Sequence, residues 1–346
     1  MNLFSRYKIN IMNAIFAFIM FFCCLGYVNA DLVATIHSTT TGGNWNSAST
    51  WQEGRVPTAN DVVEINGLVE IPGNITTGSV KINTSGTIRK KFDWGTNNYT
   101  LSISGSLENN GVLGGTNNQY HIPFVVNVSG NVLNNGTMNF FNSMSVSGDL
   151  RNNNAINNIS GINAYGKLLN GPNSNVTGNI SIQGSTKEKD LVIETQPNFT
   201  PTIYMNGDMT LKTDLDFRGN IYLQNKNLYV DGTKNIYLNI VYGGGKVLSM
   251  NGNGDGENLK VSQIHGNAET NIENLEILTH MYGVKGRNIV SKGGYLLNTS
   301  TFDKLTLNGY TEIVNTTTLN GNVLVTGSGT LRRIYNTDRV YYTLTV

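Results

Sequence analysis

Side chains able to do chemistry are few in this sequence and widely spaced. Four histidines, His37, His121, His265 and His280, are candidates for metal binding or proton transfer, yet none has a second histidine at ligand spacing. The run NGNGDGEN offers oxygen ligands at Asn251, Asn253 and Asp255 ahead of Gly256, as a calcium loop does. Its twelfth position is Ser262 instead of a bidentate glutamate, so the run reads as a Gly/Asn turn. Asp216 with Arg218, and Asp338 with Arg339, are residue types a polysaccharide lyase would use, an acid beside a basic group. Asp338 and Arg339 are adjacent, which turns them to opposite faces of a strand. No carboxylates cluster at a regular spacing around either pair. The sequence assigns no catalytic residue, no metal ligand and no cofactor site.

Aromatic residues are the second source of candidates. Tyr204, Tyr222, Tyr229 and Tyr237, with Tyr242, sit between or beside apolar residues in the second half of the chain. Alternation along a strand turns such residues outward, where a tyrosine stripe is a candidate glycan or protein face. The competing expectation is that they are ordinary strand residues covering a flank. Trp45 and Trp51 stand six positions apart in a chain with only 9% aromatic residues. Either they bind a ligand or they close the end of a core.

The elements that must position these residues are β-strands. Apolar-x-apolar triplets recur throughout, among them Val63/Ile65, Val80/Ile82, Leu101/Ile103, Val126/Val128, Met144/Val146 and Ile221/Leu223. A period of two puts both members on one strand face. Gly or Asn follows nearly every triplet, and both tolerate the left-handed backbone expected of a corner. The segments LSISGSLENNGVL, VNVSGNVLNNGTM and MSVSGDLRNNNAI align without gaps. Their corner glycines are Gly105, Gly130 and Gly148, followed by Gly166 and Gly184, in steps of 25, 18, 18 and 18 residues. A fixed period near 20 residues means stacked supersecondary units. The expected fold is all-β, a right-handed parallel β-helix (β-solenoid) with an N-terminal cap and on the order of a dozen coils about 4.8 Å apart. Stacked asparagines at the corners should form amide ladders. From Asn198 onward the register loosens, with corners expected at Gly207, Gly219 and Gly232.

Residues 1–30 read as a secretory leader: Arg6 and Lys8, then an apolar run, then Val-Asn-Ala before Asp31. Cys23 and Cys24 both lie in it, so the mature chain is expected to have no disulfide and no thiol. Without the leader, 22 basic and 23 acidic side chains remain, a net charge of −1. That balance gives no footing for nucleic acid or an anionic membrane. The expected division is leader 1–30, cap and first strands 31–72, and solenoid repeats 73–346, with no membrane span after leader removal.

The segment GNWNSASTWQEGRVPTANDVVEI carries a resemblance. Gly43, Asn44, Trp45, Thr50, Trp51, Gly54, Pro57, Asp61, Val63 and Ile65 fit the pattern G-N-W…T-W-x-x-G-x-x-P-x-x-x-D-x-V-x-I. The segment resembles the N-terminal part of large secreted bacterial parallel β-helix proteins of adhesin type. It is also similar to the start of the eight-glycine extracellular domain. The resemblance implies an extracellular or cell-surface solenoid with a structural or adhesive role, and an extracellular glycan or a host or cell-surface protein as partner. The alternative is a carbohydrate-binding or polysaccharide-degrading β-helix. Physically, the first coil of a solenoid exposes core and unpaired backbone. Trp45 and Trp51 are expected to cover that end, Gly54 and Pro57 to turn the chain, and Asp61 to accept backbone amides before the first regular strand.

Overall fold

The computed structural model describes residues 34–91, 98–115, 124–140, 142–171, 174–182, 191–193, 202–212, 214–313, 317–326, 329–333 and 344–345. The leader with Cys23 and Cys24 lies outside the described residues, as do His121, Asp338, Arg339 and the corner at Gly184. Among the described residues there is no α-helix, and a single 3-10 turn occupies Ala48–Thr50.

From Thr35 onward the chain is a parallel β-solenoid of about 11 turns. Three ladders of parallel strands run through it. The first passes through Thr35–His37, Val62–Ile65, Val80–Ile82, Leu107–Asn109, Val132–Asn134, Leu150–Asn152 and Leu168–Asn170. The second passes through Gly43–Asn44, Leu68–Ile71, Thr87–Lys90, Val112–Gly114 and Thr137–Asn139. The third passes through Ile75–Thr77, Tyr99–Ile103, Phe124–Val128 and Ser143–Val146, and later through Thr202–Met205 and Leu215–Tyr222. From Val62 to Val146 each coil contributes one strand to each sheet.

The triplets supply the interior. Val80, Leu107, Val132, Leu150 and Leu168 stack in the first sheet with no more than 2% of their surface exposed. Ile88, Leu113, Met138 and Ile156 do the same in the second. Each such side chain gains roughly 1.5–3 kcal/mol from burial. Register is therefore strongly specified, because a slip of one residue would turn these side chains into water.

Asparagine ladders form where the repeats predict them. Asn109 Nδ2 donates to Asn134 Oδ1 at 2.7 Å, 25 residues on, and Asn134 Nδ2 donates to Asn152 Oδ1 at 2.8 Å, 18 residues on. All three are fully buried. A second, exposed ladder runs beside it, with Asn153 donating to Asn135 at 2.7 Å and Asn135 to Asn110 at 2.8 Å.

The reason for the corner glycines differs from the expectation. Gly105, Gly130, Gly148 and Gly166 do not adopt the left-handed backbone. Their requirement is proximity to the preceding coil. A Cβ on Gly130 would lie 2.6 Å from Ser106 Oγ, and one on Gly148 would lie 2.3 Å from Asn131 Oδ1. Left-handed corners do occur later, at Asn225 (φ 62°) and Gly243 (φ 92°). Gly207 and Gly232 lie between strands as expected. Gly219 does not: it sits within the continuous strand Leu215–Tyr222, at a register shift where the chain passes from the second sheet to the third. The long strands Asn258–Thr270 and Asn274–Ser291 bend at similar irregularities, which is how stacking persists where the sequence repeat fades.

Candidate functional site

The N-terminal segment is one interlocked unit. Trp45 and Trp51 are 1% and 2% exposed, and their rings meet edge to face, 5.0 Å apart at 74°. Trp51 Nε1 donates to the Trp45 carbonyl at 2.8 Å. Both indoles are occupied by core and by each other. The backbone around Trp51 runs antiparallel to the free edge of Thr35–His37. Thr39 N–H donates to the Thr50 carbonyl at 2.8 Å and Gln52 N–H to the His37 carbonyl at 2.9 Å.

Asp61 is 5% exposed and sits among donors. Arg55 binds it bidentately at 2.7 and 2.8 Å, and Thr58 gives it a backbone N–H at 2.6 Å and a hydroxyl at 2.8 Å. The Arg55 guanidinium, against the opposing effect of burial, holds the Asp61 carboxyl well below the usual carboxylate range. The Asp61 carbonyl accepts the Gly78 N–H at 3.0 Å, next to the first strand of the third sheet. Pro57 is buried and Gly54 takes φ 68° at an exposed turn. Arg55 was not signalled by the sequence pattern, although it stands within the matching segment.

The four tyrosines proposed as one face are divided among three sheets. Tyr204 and Tyr222 lie in the third, Tyr229 in the first between Thr210 and Leu248, and Tyr237 in the second between Asp216 and Lys260. Period-two alternation tells inward from outward but does not say which of three faces a strand belongs to. What the third sheet assembles is a different set. Tyr204, Tyr222 and Tyr242 stack nearly parallel at 4.9 and 4.6 Å, at 11° and 9°. His265 follows at 4.8 Å from Tyr242, and Tyr282 lies 3.9 Å from His265. His280 and Tyr295 pair beside this column at 4.6 Å. Burial raises the Tyr222 and Tyr282 hydroxyls, and neighbouring tyrosines raise them further. Burial lowers His265, and the nearby His280 adds to it. The ring faces within the column are taken up by one another, so edges and hydroxyls are what it turns to solvent. Sugar stacking needs an open ring face.

The remaining chemical candidates are tied into the scaffold. His37 Nδ1 lies 2.7 Å from Glu53 Oε1. In NGNGDGEN, Asp255 binds Arg287 at 2.6 Å, and Glu273 accepts the Gly256 N–H. Glu257 is buried, 4% exposed, and Asn251 Nδ2 stands 3.5 Å from its Oε1. Asp216 and Arg218 pair with each other at 2.8 Å. Among the described residues no three His, Cys, Asp or Glu side chains come together as metal ligands.

One concavity lies on the outward face of the first sheet, with a volume of about 490 Å³. Two outward columns form it. One is Glu64, Lys81, Glu108, Leu133 and Arg151, in register from coil to coil. The other, two residues upstream, is Ser79, Ser106, Asn131 and Asp149. This second column has a structural task. Ser79 Oγ accepts the Ser106 N–H and Ser106 Oγ the Asn131 N–H, both at 3.1 Å; Asn131 Oδ1 accepts the Asp149 N–H at 2.8 Å and Asp149 Oδ1 the Lys167 N–H at 2.9 Å. Sequence reasoning missed it, although the signal is there: a Ser, Asn or Asp follows Gly78, Gly105, Gly130, Gly148 and Gly207.

Comparison with family models, curated proteins and solved structures returns no significant match.

Proposed function

We propose that the chain is a secreted or cell-surface solenoid with a structural and adhesive role, acting as a rigid display surface and not as a catalyst. The observation that carries this reading is the use made of outward polar side chains. The stacked tyrosines, the outer asparagines and the ion pairs Lys246–Glu269–Lys285 (3.4 and 2.9 Å) join successive coils to one another. Such a surface is stiff and periodic. The leader-like residues 1–30 and the resemblance of residues 43–65 support an extracellular setting, with a glycan or a host or cell-surface protein as partner. The alternative is a carbohydrate-binding or polysaccharide-degrading solenoid.

The test has two arms. Fractionation of cells expressing the full chain should find it outside the cytoplasm, shortened at its N-terminus. Purified protein incubated with a polysaccharide panel should leave chain lengths unchanged. Retention inside the cell would overturn the extracellular reading, and cleavage of any polymer would overturn the non-catalytic one.

A further inference from the structure

We propose that the tyrosine column of the third sheet is a site of oxidative modification, at which a one-electron oxidant of the peroxidase type joins Tyr222 to Tyr204 or to Tyr242 as dityrosine. The inference rests on the extracellular structural reading above and gives that scaffold a covalent staple between coils.

Geometry singles out these three residues. Tyr204, Tyr222 and Tyr242 are partners in consecutive coils, in register. Their ring centres are 4.9 and 4.6 Å apart, and their planes are 11° and 9° from parallel. That spacing matches the coil step of about 4.8 Å, so one ring is related to the next by little more than a shift along the axis. Each carbon beside a hydroxyl therefore lies about 5 Å from its counterpart in the next coil. Joining two such carbons gives a biaryl whose ring centres stay close to the spacing the column already has. Turning the two outward side chains about their own torsions closes the gap and leaves the strand pairing in place. Tyr229 and Tyr237 are placed differently. Tyr229 is flanked by Thr210 and Leu248, and Tyr237 by Asp216 and Lys260.

The coupling removes two electrons and two protons in all. Each phenol gives up one electron and its hydroxyl proton and becomes a phenoxyl radical. The two unpaired electrons form a carbon–carbon bond between ortho positions. The hydrogens on those two carbons then move to the oxygens and restore both hydroxyls. One hydrogen peroxide accepts the two electrons and two protons and leaves as two waters.

Two further considerations favour the reaction at this column. Radicals held side by side on one chain couple as an effectively unimolecular pair, where radicals on separate chains must first meet. A chain outside the cell is also away from the thiol pools that keep the cytosol reduced. The product ties together coils that otherwise depend on sheet hydrogen bonds and packing.

The test is oxidation of the dilute, purified chain by a haem peroxidase with hydrogen peroxide, repeated with photolysed ruthenium tris-bipyridyl and persulfate as a small oxidant. Dityrosine fluorescence should appear in the monomer, with a yield per chain that does not change with protein concentration. Peptide mapping should join the Tyr222 strand to the Tyr204 or Tyr242 strand with loss of two hydrogen atoms. Tyr222→Phe keeps a ring in the stack but leaves Tyr204 and Tyr242 two coils, about 9.6 Å, apart. It should lower the within-chain product about tenfold, with the melting temperature retained. Tyr237→Phe, on the second sheet, should leave the yield as it was. The proposal is overturned if neither oxidant gives dityrosine, if dityrosine forms only between chains, if the within-chain yield survives Tyr222→Phe, or if Tyr237→Phe lowers it equally. None of these results bears on where the chain resides or on polymer cleavage, so this proposal and the broader reading fail separately.

Discussion

Asn134 is the middle rung of the buried amide ladder, and its replacement by alanine should be among the most costly polar substitutions in the chain. It accepts from Asn109 at 2.7 Å and donates to Asn152 at 2.8 Å and to the Ala155 carbonyl at 3.1 Å. Three hydrogen bonds at about 1 kcal/mol each, plus the cost of leaving buried amide atoms of both neighbours short of partners, give roughly 3–5 kcal/mol. Asn135 is the control. It makes the same two ladder bonds, at 2.7 and 2.8 Å, on the exposed face. Water replaces what it loses, so Asn135→Ala should cost less than about 1 kcal/mol. Stability in a solenoid is a sum of coil and neighbour terms and need not be two-state. Native-state hydrogen exchange is therefore the assay, read at amides of residues 107–155. Equal costs at Asn134 and Asn135 would refute the argument that burial and incomplete pairing set the magnitude.

Gly130→Ala should destabilise by about 1–3 kcal/mol, since the new Cβ meets Ser106 Oγ at 2.6 Å and the Gly105 carbonyl at 2.7 Å; Gly161→Ala, with nothing within 4 Å, should stay within about 0.5 kcal/mol in chemical denaturation. Trp51→Ala should cost about 3–5 kcal/mol and raise binding of a hydrophobic dye, and a variant unchanged in melting temperature would sink the covering role of that indole. Asp61 has a depressed native pKa, so its contribution is complete above the unfolded value near 4 and fades as pH falls below it; Asp61→Asn should lose roughly 2–3 kcal/mol at pH 7 and flatten the acid limb of the stability curve. His265 also has a lowered native pKa, so protonation opposes folding and stability should fall as pH drops through the unfolded value near 6.5; it faces Tyr242, Tyr282 and His280, and His265→Tyr should remove that loss in melts at pH 5 and 7.

Much of this fold is legible in the sequence because its core obeys a local rule. Val63/Ile65 or Val126/Val128 need only alternation to be placed inward, and the 25- and 18-residue steps give the coil that brings Asn109, Asn134 and Asn152 together. What alternation lacks is a label for the sheet. Tyr229 and Tyr237 look like Tyr222 in one dimension, yet the corners between them turn the chain by a face each time. The aromatic column also includes His265, a residue whose polarity set it apart from the tyrosines and whose flat ring places it among them. The corner glycines show a different gap. Glycine is needed both for unusual dihedrals and for close approach, and only the position of the preceding coil separates the two. Arg55 escaped notice because its partner Asp61 accounted for itself through the turn amides; the guanidinium adds two bonds that no turn rule requires.

A single constraint connects these outward features with the composition. In a parallel in-register stack each side chain sits about 4.8 Å from its counterpart in the next coil, so a residue type is tolerated in runs only if it attracts its own kind. An amide does, because one end donates and the other accepts, and Asn109–Asn134–Asn152 is such a run. A phenol ring does, through face-to-face contact, and Tyr204–Tyr222–Tyr242 is such a run. A hydroxyl does, as Ser262 and Thr279 show by meeting at 3.5 Å across successive coils. A charge does not, and charged columns must alternate: Glu70 with Arg89 at 2.8 Å, and Lys260, Glu276 and Lys292 at 3.5 Å each. Alternation demands a specific partner in the next coil, which a drifting repeat supplies less readily than repetition. A chain of 14% charged residues, whose polarity comes from Asn, Ser, Thr and Tyr, is what that selection leaves. The outward column of the first sheet follows the same rule, its charges alternating in sign through Glu64, Lys81, Glu108 and Arg151 with Leu133 interposed.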